Sequence, residues 1–304
     1  MFLCIILAVD YYQLYSTFMK DTHLKNLLGL LLATFFISTS GVLGKYIAMP
    51  SEVIIWFRSV FAMLFLWIFC RYKKYDLTLK SKKHTLPFII AGIFMAAHWV
   101  TYFYALKLSN VAIGMLSLYT FPVIIAFLEP VFLKVKFNSI YIVLGIMVLL
   151  GLYILSPNLT LESTTVQGIV FGLISAICYA ARILILKNYV HQYNGVLLMF
   201  YQTIIITICL FPTLFFMDIS GFETQWPYLL LLAFLTTAIG HSLMVYSPQF
   251  FSAATTSIIS SVQPIFGIIL AFFFLNEIPN LNTFLGGSLI LGTVLIESIR
   301  SKKK

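Results

Sequence analysis

Residues 110–133 are NVAIGMLSLYTFPVIIAFLEPVFL, and residues 252–275, a shift of 142 positions, are SAATTSIISSVQPIFGIILAFFFL. Both stretches are largely apolar, and each is long enough to cross the roughly 30 Å hydrocarbon core of a bilayer as a helix. The shift aligns Ala112 with Ala254 and Pro122 with Pro264 without a gap. The two stretches therefore predict matching membrane-spanning helices in two copies of one unit.

The same shift relates residues far from these two stretches. It pairs Asn138 with Asn280, Gly145 with Gly287, Lys45 with Lys187 and Tyr104 with Tyr246. Apolar residues match by chance in membrane chains, whereas matches of Pro, Asn, Gly and Lys are more informative. The whole chain is therefore expected to contain an internal duplication.

The composition is that of a membrane protein. Of the 304 residues, 61% are hydrophobic and only 10% are charged, whereas a soluble domain carries about 25% charged residues. Long uncharged stretches recur along the chain and do not alternate as the strands of a β-barrel would. The net charge of +9 comes from basic residues in short loops and at the C-terminus, which indicates membrane topology rather than nucleic-acid binding.

The apolar stretches predict an all-α integral membrane protein with ten transmembrane helices. Their expected bounds are 25–45, 51–70, 85–107, 110–133, 138–155, 166–187, 194–216, 227–247, 252–275 and 280–299. Each copy has five spans, an odd number, so the two repeats must lie inverted about a pseudo-two-fold axis in the membrane plane. The expected domains are 1–19, an N-terminal extension that is disordered or precedes the natural start; 20–157, the first five-helix repeat; 158–300, the second; and 301–304, a basic cytoplasmic tail.

The basic residues predict the orientation. With the N-terminus inside, fifteen Lys and Arg residues lie in cytoplasmic segments, only Lys45 and Lys107 lie in outer segments, and Arg58 and Arg182 lie within spans. This bias follows the positive-inside rule. We therefore expect a multi-pass protein of the cell (inner) membrane with both termini in the cytoplasm.

Residues around the repeated prolines resemble those of EamA-type drug/metabolite transporters. The resemblance rests on Ser109-Asn110-Val111-Ala112 to Pro122, on Gln263-Pro264 and Leu275-Asn276-Glu277, and on Arg58 and Tyr102-Phe103-Tyr104. It covers residues 20–300 and implies two five-helix repeats around a cavity lined mainly by spans 1, 3, 4, 6, 8 and 9. The first repeat departs from the pattern, since Val135 stands where the second repeat has Glu277.

Polar side chains within the spans are candidates for a substrate site, because an ionisable group at bilayer depth is costly and usually faces a cavity. His98 and His241, in the middle of spans 3 and 8, either face the cavity, binding substrate or carrying a proton, or bond a neighbouring helix. Aromatic and hydroxyl groups nearby would complete a small-molecule pocket. The expected substrate-binding residues are His98, Trp99, Tyr102, Ser117, Tyr119, Thr120, Tyr179, Arg182, His241, Ser260 and Gln263.

Three charged residues leave alternatives open. Arg182 suits a substrate carboxylate or phosphate, but it could equally extend to the interface or pair with Glu129. Glu129 is a proton-coupling candidate, together with the two histidines, or a structural partner of Arg182 or a loop lysine. Arg58 lies in span 2, which the resemblance places at the periphery, so structural pairing is its favoured role, with Gln202 as its uncharged counterpart in span 7.

The paired prolines predict breaks in two helices. A proline has no N–H and frees the carbonyl one turn earlier, and transporters expose such backbone to substrate near the midplane. Pro122 and Pro264 are therefore the helix-break candidates, and Gln263 with Pro264 is the preferred site element. The pattern Gly168-x-x-x-Gly172 predicts close helix packing instead.

These features favour a secondary transporter, a permease that moves a small metabolite by alternating access. An amino acid or related compound is the suggested cargo, with export suggested by family breadth alone. The chain has no Walker A pattern, and its scattered cysteines indicate neither a metal site nor a disulfide framework, so no enzymatic activity, cofactor or metal is expected. The alternatives are an intramembrane lipid-modifying enzyme and a channel-like or receptor protein. The expected partners are a small-molecule substrate and the lipid bilayer, without nucleic acid, for a monomer or homodimer.

Overall fold

The computed structural model describes residues 22–133, 139–155, 160, 162–246 and 259–301. The expectations for residues 1–19, for the start of span 9 and for the tail beyond Ser301 lie outside these ranges. The described ranges contain helices and turns but no strand. The helices are α1 (Thr22–Tyr46), α2 (Ser51–Tyr72), α3 (Thr85–Leu108), α4 (Val111–Leu118), α5 (Phe121–Leu133), α6 (Ile140–Leu155), α7 (Thr164–Leu186), α8 (Gly195–Leu210), α9 (Phe222–Leu232), α10 (Ser242–Tyr246), α11 (Gln263–Leu275) and α12 (Leu281–Ser301), with 3-10 turns at Lys82–His84 and Phe211–Phe215 and a π-helical segment at Ala233–His241.

Seven helical stretches of the described ranges are long and apolar enough to cross a membrane. They are Asn26–Tyr46, Ser51–Tyr72, Lys82–Leu108, Val111–Phe132, Thr164–Leu186, Gly195–Phe215 and Phe222–Val245. Three further helices are apolar but shorter, at Ile140–Leu155, Gln263–Leu275 and Leu281–Ile296. The protein is therefore a multi-pass membrane protein, while the count of ten spans stays a prediction.

Two of the expected helix bounds differ from the structure. The eighth span was expected to begin at Pro227, but α9 begins at Phe222 and contains that proline. Pro227 lies inside the helix, beyond its first turn, and leaves the carbonyl oxygen of Glu223 without an intrahelical donor. Glu223 itself, in the first turn, suits the helix dipole. The fourth span, expected over 110–133, consists of two helices, α4 and α5, and the second begins one residue before Pro122.

Charged side chains cap helix ends on one side of the bundle. Glu277 Oε2 accepts a hydrogen bond from the backbone N–H of Val111 at 2.8 Å, which satisfies a free donor at the start of α4. Lys45 Nζ, at the end of α1, donates to the carbonyl oxygens of Leu106 at 2.8 Å and Ser109 at 2.6 Å. The two caps fasten the α3–α4 turn to α1 and to the segment after α11. Val135, the first-repeat position that corresponds to Glu277, lies outside the described residues.

Helix α7 packs closely on α3 and α4 through its glycines. A Cβ atom on Gly168 would lie 2.7 Å from Ser109 Cβ and 3.1 Å from the carbonyl oxygen of Ala105. A Cβ atom on Gly172 would overlap the side chain of Ser117. Small residues that let helix backbones approach are typical of packing within membranes, so the Gly168-x-x-x-Gly172 pattern marks a helix interface, as expected.

This close approach predicts a contrast between two glycine substitutions. We expect Gly168→Ala to lower the free energy of unfolding by about 1–3 kcal/mol, because the new methyl group overlaps α3. Gly292→Ala, where nothing lies within 4 Å of the new Cβ, is the matched control. It should leave stability unchanged or raise it by up to about 1 kcal/mol through helix propensity. Thermal unfolding in detergent measures both, and equal melting temperatures would contradict the tight α3–α7 contact.

Candidate functional site

Two helix breaks lie at positions related by the 142-residue shift. Helix α5 begins at Phe121 and α11 at Gln263, each one residue before a proline. Pro264 cannot donate to the carbonyl of Ser260, and the Tyr119 hydroxyl donates to that oxygen instead at 2.5 Å. The same hydroxyl lies 2.9 Å from Gln263 Oε1. The carbonyl freed by the second proline is therefore satisfied by a side chain from the first break.

A small cavity lies beside these breaks. Its volume is about 50 Å³, well below the roughly 300–1,000 Å³ of pockets that hold metabolites or drugs. The cavity as described is therefore too small to hold a molecule of that size. The lining residues come from α1–α5, α7, the π segment, α10, the turn before α11 and the first residue of α11. They are Ile37, Ser40, Arg58, His98, Trp99, Tyr102, Leu118, Tyr119, Phe121, Tyr179, His241, Met244, Ser260 and Gln263.

The structure brings together eight of the eleven residues expected to bind substrate. Those on the cavity wall are His98, Trp99, Tyr102, Tyr119, Tyr179, His241, Ser260 and Gln263. Ser117, Thr120 and Arg182 are buried but are not on the wall. The two prolines, Pro122 and Pro264, also lie off the wall, each next to a lining residue. Whether any of these side chains touches substrate stays a prediction.

Ser117 and Thr120 belong to the first helix break. The Thr120 hydroxyl donates to the carbonyl oxygen of Ser117 at 2.8 Å, and the Ser117 side chain packs against Gly172 of α7. These contacts hold the α4–α5 turn and place both hydroxyl groups behind the cavity wall.

His98 is held in one orientation by Ser175 of α7. The Ser175 hydroxyl donates to the carbonyl oxygen of His98 at 2.9 Å, and His98 Nδ1 lies 2.7 Å from the same hydroxyl oxygen. Because the hydroxyl proton is used on the carbonyl, the serine oxygen accepts from Nδ1–H. This tautomer leaves Nε2 as the acceptor nitrogen, and the ring stacks on Tyr179 at 4.6 Å between centroids.

The two cavity histidines are not equivalent positions of the repeat. The 142-residue shift pairs His241 with Trp99 and pairs His98 with Gly240. Trp99 and His241 face each other at 5.5 Å between ring centroids. Their neighbourhood is the π-helical segment, a rare conformation that is frequent at functional sites. Both histidines still reach one cavity, although they come from different repeat positions.

Arg58 lies on the cavity wall, where sequence reasoning had favoured a peripheral structural role. The side chain is 1% exposed, its Nε donates to Thr237 Oγ1 at 2.8 Å, and its guanidinium lies 3.8 Å over the Trp99 ring. Its Nη2 is buried and has no hydrogen-bond partner in the described part of the chain. The length of an arginine side chain lets a residue of α2 reach the centre of the bundle.

Arg182 is a second buried guanidinium, just behind the wall. Its Nε donates to Gln202 Oε1 at 2.6 Å, and its guanidinium lies 5.6 Å from the Tyr179 ring centre. The side chain therefore neither extends to the interface nor pairs with Glu129, the two structural alternatives that the sequence left open. Gln202, expected as the counterpart of Arg58, is instead the hydrogen-bond partner of Arg182.

Glu129 pairs with a lysine, Lys187, and not with Arg182. Its Oε1 lies 2.7 Å from Lys187 Nζ, and both side chains are partly exposed. Such an exposed pair contributes little to stability, and it lies off the cavity wall. The geometry gives Glu129 a structural partner, while its role in proton coupling stays a prediction. Among the residues that the structure describes, no three His, Cys, Asp or Glu side chains lie close enough to hold a metal ion.

The fold and site define a multi-pass helical membrane protein with a closed central cavity. The chain belongs to the EamA-like transporter family, whose pattern matches residues 24–156 and again residues 166–298. The family unit is thus present twice. Both matches agree with the resemblance to this family that the residues around the repeated prolines show.

Several curated relatives are transporters by name. An uncharacterized transporter of Bacillus subtilis is 26% identical over 87% of this chain and 86% of its own. The pseudopaline exporter of Pseudomonas aeruginosa is 25% identical over 90% of this chain and 95% of its own. The S-adenosylmethionine uptake transporter of Rickettsia conorii is 25% identical over 93% and 95%. A solved crystal structure shares the fold, with a TM-score of 0.65 over 93% of this chain and 99% of that one, at 14% identity.

Proposed function

We propose that the protein is a secondary transporter that moves a small polar or amphipathic metabolite across the cell membrane. Residues 20–157 and 158–300 form two inverted five-helix repeats in this proposal, and transport proceeds by alternating access. The observation that carries the proposal is the composition of the cavity wall, which takes residues from both family units.

Most residues of the cavity wall occupy equivalent positions in the two repeats. Ten of its fourteen residues form five pairs related by the 142-residue shift: Ile37 with Tyr179, Trp99 with His241, Tyr102 with Met244, Leu118 with Ser260, and Phe121 with Gln263. A pseudo-two-fold axis between the repeats would bring equivalent positions together at one central point. A site at such an axis can be exposed alternately to either side by rocking of the two halves.

The helix packing has the same organisation. Helix α7 packs on α3, α4 and α5, and its counterpart α1 packs on the π segment and α11. Two further extensive contacts, α2 with α8 and α6 with α12, join helices that the 142-residue shift makes equivalent. This pattern supports two units of the same internal arrangement, exchanged by a two-fold axis.

The five pairs also support an amphipathic substrate. In four of them the first repeat supplies an apolar or aromatic side chain where the second supplies a more polar one, as in Leu118 with Ser260 and Phe121 with Gln263. Apolar walls with a few polar groups are typical of small-molecule sites. An amino acid or a related compound has this mixed character.

Direction and energy source are separate parts of the proposal. The relatives include an exporter and an uptake transporter by name, so family membership is compatible with either direction. The chain has no nucleotide-binding P-loop pattern, which supports transport driven by an ion or substrate gradient. The distribution of basic residues supports cytoplasmic termini.

Counterflow in proteoliposomes tests the proposal. Purified protein is screened by thermal shift against a few hundred metabolites, since a ligand that prefers the folded state stabilises it by mass action. Each hit is then tested for exchange of labelled against unlabelled compound. Saturable exchange of one chemical class is the expected result. Chemical conversion of a bound compound without exchange would contradict transport and favour an intramembrane enzyme.

Alternating access predicts that the cavity opens to water. In a variant without native cysteines, we expect Ser260→Cys on the wall to react with a membrane-impermeant thiol reagent from at least one side, and substrate to slow that reaction. Ser117→Cys, behind the wall against Gly172, is the buried control. A Ser260→Cys variant as unreactive as the control, from both sides of the membrane, would contradict the cavity assignment.

A further inference from the structure

The two buried guanidiniums beside the cavity lack anionic partners. Arg58 and Arg182 are 1% and 4% exposed. Their hydrogen bonds run to the neutral acceptors Thr237 and Gln202, and no carboxylate of the described residues forms an ion pair with either of them. Arginine stays protonated in proteins, so the described part of the bundle interior carries two positive charges that no carboxylate of the described residues neutralises.

Uncompensated buried charge is unfavourable for folding, because burial removes the ion from water without returning an opposite charge. Arg58 shows this most clearly, since its Nη2 is buried and unpartnered while the side chain lines the cavity. A purely structural arginine would use its donors on the protein. A donor left unused at a cavity wall is instead available to a ligand.

We propose that Arg58 binds the carboxylate group of a substrate that has one carboxylate, in the central cavity. This assignment narrows the substrate class of the proposed transporter, and it rests on the proposed function for the transport step alone. The guanidinium donates a hydrogen bond to Thr237 and lies 3.8 Å over the Trp99 ring, so it is oriented before the ligand arrives. Arg182, behind Tyr179, adds positive potential without direct contact.

The charge balance favours a carboxylate over a phosphate ester. Only one guanidinium lines the cavity, and one carboxylate neutralises it, with a planar shape that matches the guanidinium donors. A phosphate monoester carries nearly two charges at neutral pH, and only one of the two buried guanidiniums is placed to contact it. The aromatic side chains of Trp99, Phe121 and Tyr179 then face the uncharged part of the substrate.

Thermal shift with matched probes tests the binding step. Acetate and phenylacetate are compared with acetamide and phenylacetamide, which keep the shape and lose the charge, and with phenyl phosphate. We expect the two carboxylates to raise the melting temperature of the wild-type protein and the amides to have no effect. Equal shifts from an amide and its carboxylate, shifts from phenyl phosphate alone, or no shift from either carboxylate would overturn the proposal.

Substitution of Arg58 separates a binding role from a structural one. In Arg58→Met the charge is replaced by an apolar chain of similar length. We expect the ligand-free melting temperature to stay level or rise, since an uncompensated charge is removed, while carboxylate affinity falls at least about tenfold. Arg71→Met, on the exposed end of the same helix, is the control and should keep binding. A lower ligand-free melting temperature together with retained carboxylate shifts would establish a structural role instead.

A conservative variant and a flux assay distinguish failure of the carboxylate assignment from failure of the transport proposal. Arg58→Lys retains the charge but not the planar donor pair, and we expect intermediate affinity. If counterflow of a neutral or cationic metabolite survives Arg58→Met, transport stands and the carboxylate assignment falls. If carboxylates bind through Arg58 but never exchange across the bilayer, the binding assignment stands and transport falls.

Discussion

Replacing Gln202 by Leu is expected to lower the free energy of unfolding by on the order of 3 kcal/mol, the largest stability loss predicted for a single side chain in this protein. Gln202 Oε1 accepts from Arg182 Nε at 2.6 Å, and both side chains are almost fully buried. Leucine fills similar space but offers no acceptor. The guanidinium would then keep only weaker partners, the Met199 sulfur at 3.6 Å and the Tyr179 side chain.

A double-mutant cycle separates this cost from packing. Arg182→Leu removes the charge and leaves only the neutral amide oxygen of Gln202 unpaired, since its NH2 group still donates to the carbonyl oxygen of Leu198. It should therefore cost less than Gln202→Leu. The double variant removes both groups and should recover most of the loss, because two apolar side chains can replace a buried polar pair at little cost. Thermal or denaturant unfolding in detergent measures all three variants.

An exposed glutamine provides the control for the Gln→Leu substitution. Gln192→Leu removes an exposed side chain whose amide donates to Asn188 at 3.0 Å, and it should change stability by no more than about 0.5 kcal/mol. A double variant as unstable as Gln202→Leu would show that shape, and not the lost acceptor, decides stability at this position.

The cavity wall could be predicted largely from the cost of polar groups at bilayer depth. His98, His241 and Gln263 have no reason to occupy the middle of an apolar span unless they face the protein interior, and all three line the cavity. The proline breaks were visible for a related reason, since a residue without an N–H frees a carbonyl that needs another donor. A polar residue within an apolar span and a proline within a predicted helix are both local features, so the sequence alone reveals them.

The interaction partners of the charged side chains, and the positions that long side chains reach, could not be predicted from the sequence in this way. Arg58 belongs to a helix that the resemblance places at the periphery, yet its long side chain reaches the wall over Trp99. Glu129 had Arg182 and several lysines as candidate partners, and only the packing of α5 beside the end of α7 selects Lys187. Such choices depend on how helices rotate against one another, which spacing along the chain leaves open.

The repeat shift could be read from the chain, but its consequence for the site could not. His98 and His241 lie in equivalent spans but one residue out of register, so the shift pairs His241 with Trp99, and only the structure shows that this pair lies on the cavity wall. The wall conserves position between the repeats and changes chemistry, with an apolar residue in one and a more polar residue in the other. A search for identical residues therefore detects the duplication at the helix breaks, where Pro122 and Pro264 match, but not at the cavity wall, where the paired residues differ.

Removing the hydroxyl of Tyr119 is expected to open the cavity. In Tyr119→Phe the carbonyl oxygen of Ser260, which Pro264 cannot serve, loses the donor that now lies 2.5 Å away. A buried acceptor left unpaired costs about 1–3 kcal/mol, and water would satisfy it once the two breaks separate. The closed state should therefore lose population by about 5- to 150-fold relative to open states.

The rate of thiol labelling at Ser260→Cys, in a variant without native cysteines, measures this shift. We expect labelling to accelerate in the Tyr119→Phe background and to stay unchanged with Tyr153→Phe, whose ring is 52% exposed on α6. Substrate exchange should change in parallel, because a transporter that favours one access state spends less time in the other. Unchanged labelling with Tyr119→Phe would mean that the contact between the two breaks does not hold the cavity closed, and that closure rests on the packing of α7 and α1 alone.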